Sequence, residues 1–104
     1  MELIRGSYGY DINMTVYDAD NNVVDLTGVT SVILNIADIE NKRNLLSGAC
    51  TEVDYTTGQV KYTVQSDDIS MKANVYVASL RLAYASKEVE TKEFYVTIKD
   101  KLSI

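Results

Sequence analysis

The 104-residue chain contains no histidine, no proline and no tryptophan, and a single cysteine, Cys50. Without histidine the usual zinc ligand sets cannot be assembled, and a cysteine nucleophile has no imidazole to activate it. One cysteine also excludes an intrachain disulfide, so Cys50 reads as a small buried apolar residue. Basic side chains are the minority, 10 against 15 acidic, for a net charge of −5. That balance opposes binding to nucleic acid or to an anionic membrane surface. The basic residues are scattered, and the adjacent pair Lys42 and Arg43 falls in a turn pattern rather than a patch. No apolar run approaches the roughly 18 residues of a membrane span, and the N-terminal MELIRGSYG lacks the basic-then-apolar order of a signal peptide. Synthesis and folding in a cytoplasm are expected. With no low-complexity segment or Ser/Gly linker, residues 1–104 read as one domain.

What the chain does have is β patterning, organised around residues 24–38, VDLTGVTSVILNIAD. Asp25 and Thr27 can bond nearby backbone, and Gly28 can take a positive φ, so a tight redirection is expected there. The run that follows is apolar on both parities (Val32, Leu34, Ile36 against Val29, Ile33, Ala37, Ile39), the pattern of a central strand covered on both faces. Upstream, Tyr8, Tyr10, Ile12, Met14 and Val16 share one parity, which predicts a half-buried strand over 8–16. Polar residues 18–22 (DADNN) form a turn, and 40–44 (ENKRN) a second. A weaker strand over 45–53, kinked or bulged at Gly48, leads through DYTTG (54–58) into Val60, Tyr62 and Val64, forming an antiparallel hairpin. Residues 66–70 (SDDIS) suit a single helical turn crossing between sheets. Tyr76, Ala78, Leu80, Leu82 and Tyr84 follow on one parity, and Phe94, Val96 and Ile98 point inward from the last strand.

These elements predict an all-β, two-sheet antiparallel immunoglobulin-like sandwich of about seven strands. Its core is expected to comprise Ile12, Met14, Val16, Val32, Leu34, Ile36, Val60, Tyr62, Val64, Ala78, Leu80, Leu82, Phe94, Val96 and Ile98. The entry NVYVA (74–78) resembles a tyrosine corner, in which the Tyr76 hydroxyl bonds backbone just upstream, with Asn74 in the left-handed position.

No catalytic constellation accompanies this pattern. Asp18, Asp20 and Asn22 have the spacing of the first ligands of a calcium loop, but Val23 and Val29 occupy the expected glycine and glutamate positions, so a plain turn is the better reading. Glu88 and Glu90 lie on one strand as a solvated edge rather than a glycosidase pair. No cofactor, metal site or enzymatic activity is expected. Of the eight tyrosines, Tyr8, Tyr10, Tyr62, Tyr76 and Tyr84 share parity with apolar neighbours, whereas Tyr17 and Tyr95 face outward as interface candidates. Met1, Leu3, Ile4, Leu102 and Ile104 place apolar residues at both ends, suiting either burial against a neighbouring subunit or pairing as edge strands within the domain.

Three stretches, residues 4–28 (IRGSYGYDINMTVYDADNNVVDLTG), 53–64 (VDYTTGQVKYTV) and 75–86 (VYVASLRLAYAS), resemble in this order the immunoglobulin-like N-terminal domain of bacteriophage baseplate upper proteins. Arg5-Gly6, the Asp-rich turn at 18–22 and the Val-Asp-Leu-Thr-Gly at 24–28 take the family's places. The resemblance covers nearly the full length. It implies a virion structural module that docks on other phage proteins; the apolar residues at both ends add the expectation of a homo-oligomer in the particle. Family members continue into a linker and a receptor-facing or fibre region, whereas this sequence stops at Ile104. A small fitting, connector or decoration subunit of the tail, baseplate or particle surface is therefore expected. The competing reading, a free-standing adhesion or carbohydrate-binding module, rests on the fold type and the tyrosines.

Overall fold

A computed structural model describes residues 1–100 of the chain. Nine strands occur in the order β1 (Glu2–Ile4), β2 (Asp11–Thr15), β3 (Ser31–Ala37), β4 (Asn44–Ala49), β5 (Thr51–Asp54), β6 (Gln59–Thr63), β7 (Asn74–Ala83), β8 (Glu88–Glu90) and β9 (Phe94–Lys99). A single 3-10 turn, Tyr55–Thr57, joins β5 to β6, and among the described residues there is no α-helix. The larger sheet runs β1-β9-β7-β3-β4 with β8 also on β7, and the smaller runs β2-β6-β5. This is the expected two-sheet sandwich. It has more strands than expected, and its β1–β9 pair is parallel, with Glu2 opposite Thr97 and Ile4 opposite Lys99.

Parity decides which side chains enter the core. Ile12, Val16, Val32, Leu34, Ile36, Val60, Tyr62, Val64, Ala78, Leu80, Leu82, Val96 and Ile98 are all buried, as the alternation demands, while Met14 and Phe94 are half-buried against them. Each large side chain so removed from water contributes about 1.5–3 kcal/mol. Leu3, Leu26, Leu46, Ile69, Tyr76 and Val77 are buried as well. Leu26 and Ile69 sit in connections, where no periodicity marks them.

The hub of the larger sheet is β7, not β3: ten residues long, it pairs β3 on one side and both β8 and β9 on the other. Nor is β3 covered on both faces. Val32, Leu34 and Ile36 are buried, but Ser31, Ile33, Asn35 and Ala37 stay partly exposed on the outer face, where Asn35 Oδ1 accepts from Ser47 Oγ at 2.7 Å. The strand expected over 45–53 divides at Cys50. Its first half pairs β3 and its second half pairs β6, and Cys50 N donates to Val32 O (2.8 Å) just before the chain changes sheets. Gly48 neither kinks nor bulges, since it stays in register opposite Leu34 and the irregularity lies at Ile36/Ala37. Its lack of a side chain serves packing instead: a Cβ there would overlap the ring of Tyr62, reaching from the opposite sheet.

Turn chemistry explains the connections. Asp25 Oδ1 accepts from Thr27 N and Oγ1 (2.9 and 2.6 Å), and Gly28 follows at φ 88, as expected. Asp54 caps the 3-10 turn, which ends on left-handed Gly58. Residues 66–70 form a tight turn rather than a helical one. Asp67 is left-handed (φ 71), and the Asp68 carboxylate accepts from Gln65 N (2.8 Å) and from Tyr62 Oη. Tyr76 Oη donates to Lys72 O at 2.6 Å, completing the tyrosine corner. Asn74 is not left-handed there: it begins β7, and its Oδ1 accepts from Val75 N. The first long strand starts only at Asp11, because Gly6 and Gly9 both take positive φ, and this leaves Tyr8 exposed.

Candidate functional site

The acidic turn at 18–22 is closed on itself. Asp18 Oδ1 accepts from Asp20 N and Asn22 N (both 2.9 Å), and Asn21 adopts φ 63. Asp18 Oδ1 is thus engaged by the turn's own backbone, and no group of three or more potential metal-ligating side chains gathers among the described residues. Glu88 and Glu90 occupy the short outer strand β8, with Arg81 Nε 3.9 Å from Glu88 Oε1. Cys50 is half-buried, and desolvation pushes its thiol from 9.0 to about 11, the opposite of what a nucleophile requires.

What the fold does assemble is an apolar cleft along one side of the sandwich. There β2, the edge of the smaller sheet, faces the residues leading into β9, and residues 17–25, which follow it, face β8. Val16 N donates to Gly58 O and Val64 N to Tyr10 O (2.8 and 2.9 Å), which turns the even-numbered residues of β2 toward β6 and leaves the main-chain groups of Asn13 and Thr15 on the open side. One section of the cleft, about 410 Å³, is lined by Met1, Met14, Val16, Tyr17, Leu80 and Phe94 among others. The adjoining section, about 800 Å³, is lined by Tyr17, Val23, Val24, Leu82, Tyr84 and Val89. Tyr17, Thr91 and Lys92 border both sections. The bridge between Tyr17 and Val23 holds one wall, and Lys87, lying 5.0 Å over the Tyr84 ring, closes the far end. Met1 and Tyr17 in the first section, and Tyr17, Val23 and Val89 in the second, are each more than two-fifths exposed.

The interface candidates therefore separate. Met1 and Tyr17 come together in the cleft. Tyr95 (67% exposed) stands apart on the outer face of the larger sheet, and Ile4 is exposed at the end of β1. Leu3 is 5% exposed and belongs to the domain's own core, because β1 adds to the sheet beside β9; at this end the edge-strand alternative is the one realised. Leu102 and Ile104 lie outside the described residues. Val23, Val89, Met14 and Phe94 were not legible as residues lining a cleft. Val89 stands alone between two glutamates, and the parity that assigns Met14 and Phe94 to the core says nothing of a gap beside them.

Residues 9–104 match the family model of the BppU N-terminal domain. The chain belongs to this family. BppU is the baseplate upper protein of phage, so the chain is a phage baseplate structural module and a component of the virion. The matched stretch begins after β1, leaving the Arg5-Gly6 turn outside it. Among solved structures, CopC from Methylosinus trichosporium OB3b is similar over 99% of this chain and 88% of its own, with 9% identity and a TM-score of 0.53. At that identity the likeness concerns the fold alone. Comparison with curated proteins gives no match.

Proposed function

We propose that this BppU-type domain is a non-enzymatic assembly module that docks on other virion proteins and homo-oligomerises in the particle, with the cleft between β2 and β8 as its main docking surface. The observation that carries this reading is the gathering of Met1, Tyr17, Val23 and Val89 on an open side whose edge strand also offers unpaired main-chain groups. A partner segment placed there buries apolar side chains and pairs Asn13 and Thr15 in one step. Tail, baseplate periphery and particle surface are all locations that such a fitting suits. The apolar termini, Ile4 and Met1 at one end and Leu102 and Ile104 at the other, are candidates for secondary contacts. The carbohydrate-binding alternative rests on Tyr8, Tyr17 and Tyr95, which are exposed, since Tyr62 and Tyr76 are buried in the core.

The test is particle incorporation. Val23→Asp combined with Val89→Asp alters two exposed side chains, so the domain should melt as the unmodified protein does while its recovery in assembled particles falls. Undiminished incorporation of the folded double variant would show that the cleft is not the docking surface. Specific retention on glycan arrays with no co-assembly would favour the adhesion reading instead.

A further inference from the structure

A row of unpaired N–H and C=O groups invites another strand, and proteins commonly guard such rows with charge, with proline or by keeping the strand short. Among the described residues there are five free edges. β1 is three residues long and pairs Glu2 with Lys99, β5 carries Glu52 and Asp54, β8 is three residues with two glutamates, and β2 borders the cleft already assigned to docking. The exception is β4, whose six residues Asn44–Ala49 include no charge, at the outer end of the larger sheet. Because Cys50 N bonds Val32 O, the bonded pairs of the β3–β4 ladder are Val32–Cys50, Leu34–Gly48 and Ile36–Leu46. The main-chain groups of Ser47 and Ala49 therefore point away from β3. Both side chains are small, so nothing overhangs the edge.

The charges flanking this edge are polarised along the strand. Lys42 and Arg43 precede it, and Glu52 and Asp54 follow it. A second copy laid antiparallel across a two-fold axis at Gly48 sets Ser47 of each copy opposite Ala49 of the other, satisfying the outward groups of both residues. The same arrangement points the basic end of each copy's strand, preceded by Lys42 and Arg43, toward the acidic end of the other's, followed by Glu52 and Asp54. A parallel arrangement would stack like charges instead. We infer that β4 is a homotypic interface, pairing antiparallel with β4 of a second copy to join two larger sheets into one. The inference deepens the homo-oligomeric part of the function proposed above and rests on it in that respect only, because particle incorporation through the cleft on the other side does not require it. With only a short strand pair buried, the dimer forms weakly in isolation and gains strength where copies are held together.

The experiment is sedimentation equilibrium of the purified chain over a concentration series, with amide exchange read at Ser47 and Ala49. The mass should rise toward twice that of the chain as those two amides become protected. A single-chain mass throughout, or a doubled mass with both amides still exchanging freely, overturns the proposal. Ala49→Lys, on an exposed side chain, should stay monomeric with an unchanged melting temperature; dimerisation at the unmodified protein's concentration would place the contact elsewhere and refute the assignment. Arg43→Glu and Glu52→Lys should each weaken association by roughly two- to tenfold, the range for exposed ion pairs. Mixing the two variants should recover it, because each acidic flank then meets a basic one. Failure of the mixture to recover refutes the antiparallel register, whatever the outcome of particle incorporation.

Discussion

Gly48→Ala separates two physical arguments by the sign of its effect. On backbone grounds alone, alanine in a strand should gain about 0.5–1 kcal/mol, because glycine loses more conformational freedom on folding. Packing argues the other way. The new methyl would lie 2.5 Å from Tyr62 Cζ and 2.8 Å from Tyr62 Oη, against the 3.5–4.0 Å at which carbon atoms rest in contact. The ring, whose Cε1 lies nearer still, must then retreat by roughly 1.5 Å, or the two sheets must part by as much, at a typical overpacking cost of about 1–3 kcal/mol. Retreat also pulls the hydroxyl from the Asp68 carboxylate, and a hydrogen bond to a charged group contributes about 1.5–3 kcal/mol. The net expectation is a loss of about 2–4 kcal/mol, which lowers the melting temperature by about 4–8 °C per kcal/mol in a domain of this size. Denaturant titration and calorimetry measure it directly. Placing Gly48→Ala in a Tyr62→Leu background should remove most of the added cost, because the ring it strikes is gone. A stabilised Gly48→Ala protein, or a loss of the same size in both backgrounds, would refute the claim that Gly48 exists to admit the ring.

Leu34→Ala should cost about 2–5 kcal/mol, since its side chain is fully enclosed between the sheets, whereas Cys50→Ala should cost far less; a loss under about 1 kcal/mol for Leu34→Ala in a urea melt would contradict its place in the core. Stability should also fall in alkali. Burial, with the Asp68 carboxylate beside it, raises the Tyr62 hydroxyl well above the ordinary 10.0, and desolvation raises the Cys50 thiol to about 11. The folded state thus keeps protons that the unfolded chain releases, so this contribution is intact below about pH 9 and is lost progressively as pH climbs through the folded-state values. Tyr62→Phe should begin less stable at about pH 8 yet decline less between about pH 9 and pH 11. Parallel declines of the two proteins would rule out Tyr62 as a source of the alkaline loss.

Alternation carried the reading of strands and core because one face of each sheet meets the other while the opposite face meets water. Ile12, Leu34, Leu80 and Val96 were legible on that ground. The errors cluster where a tertiary event overrides a local pattern. The change of sheet at Cys50 leaves no mark in the run LLSGACTEV, since both halves are extended and only their partners differ. The outer parity of β3 contains Ile33 and Ala37, which reads as a strand covered on both faces, but a few apolar residues on an outer face do not require a covering layer. Serine and aspartate at 66–70 favour helix caps and turns alike, and burial of Ile69 beneath the segment selected the turn. The cleft was half legible: Tyr17 and Met1 stood out as misplaced apolar side chains, whereas Val23 and Val89 acquire meaning only once the Tyr17–Val23 bridge and β8 face each other across the gap.

The parallel pairing of β1 with β9 has a mechanical consequence. Thr97 N bonds Met1 O and Arg5 N bonds Lys99 O, at 2.9 and 2.8 Å, so the first and last strands of the described chain run side by side in the same direction. Tension applied between Met1 and Asp100 drives these two strands in opposite senses along their length. It loads their hydrogen bonds together, in shear, rather than peeling them apart one at a time as it would in a terminal hairpin. Leu3, locked in the core, resists the same slide. A pull applied along the described chain is thereby resisted at the very strands on which it would first act.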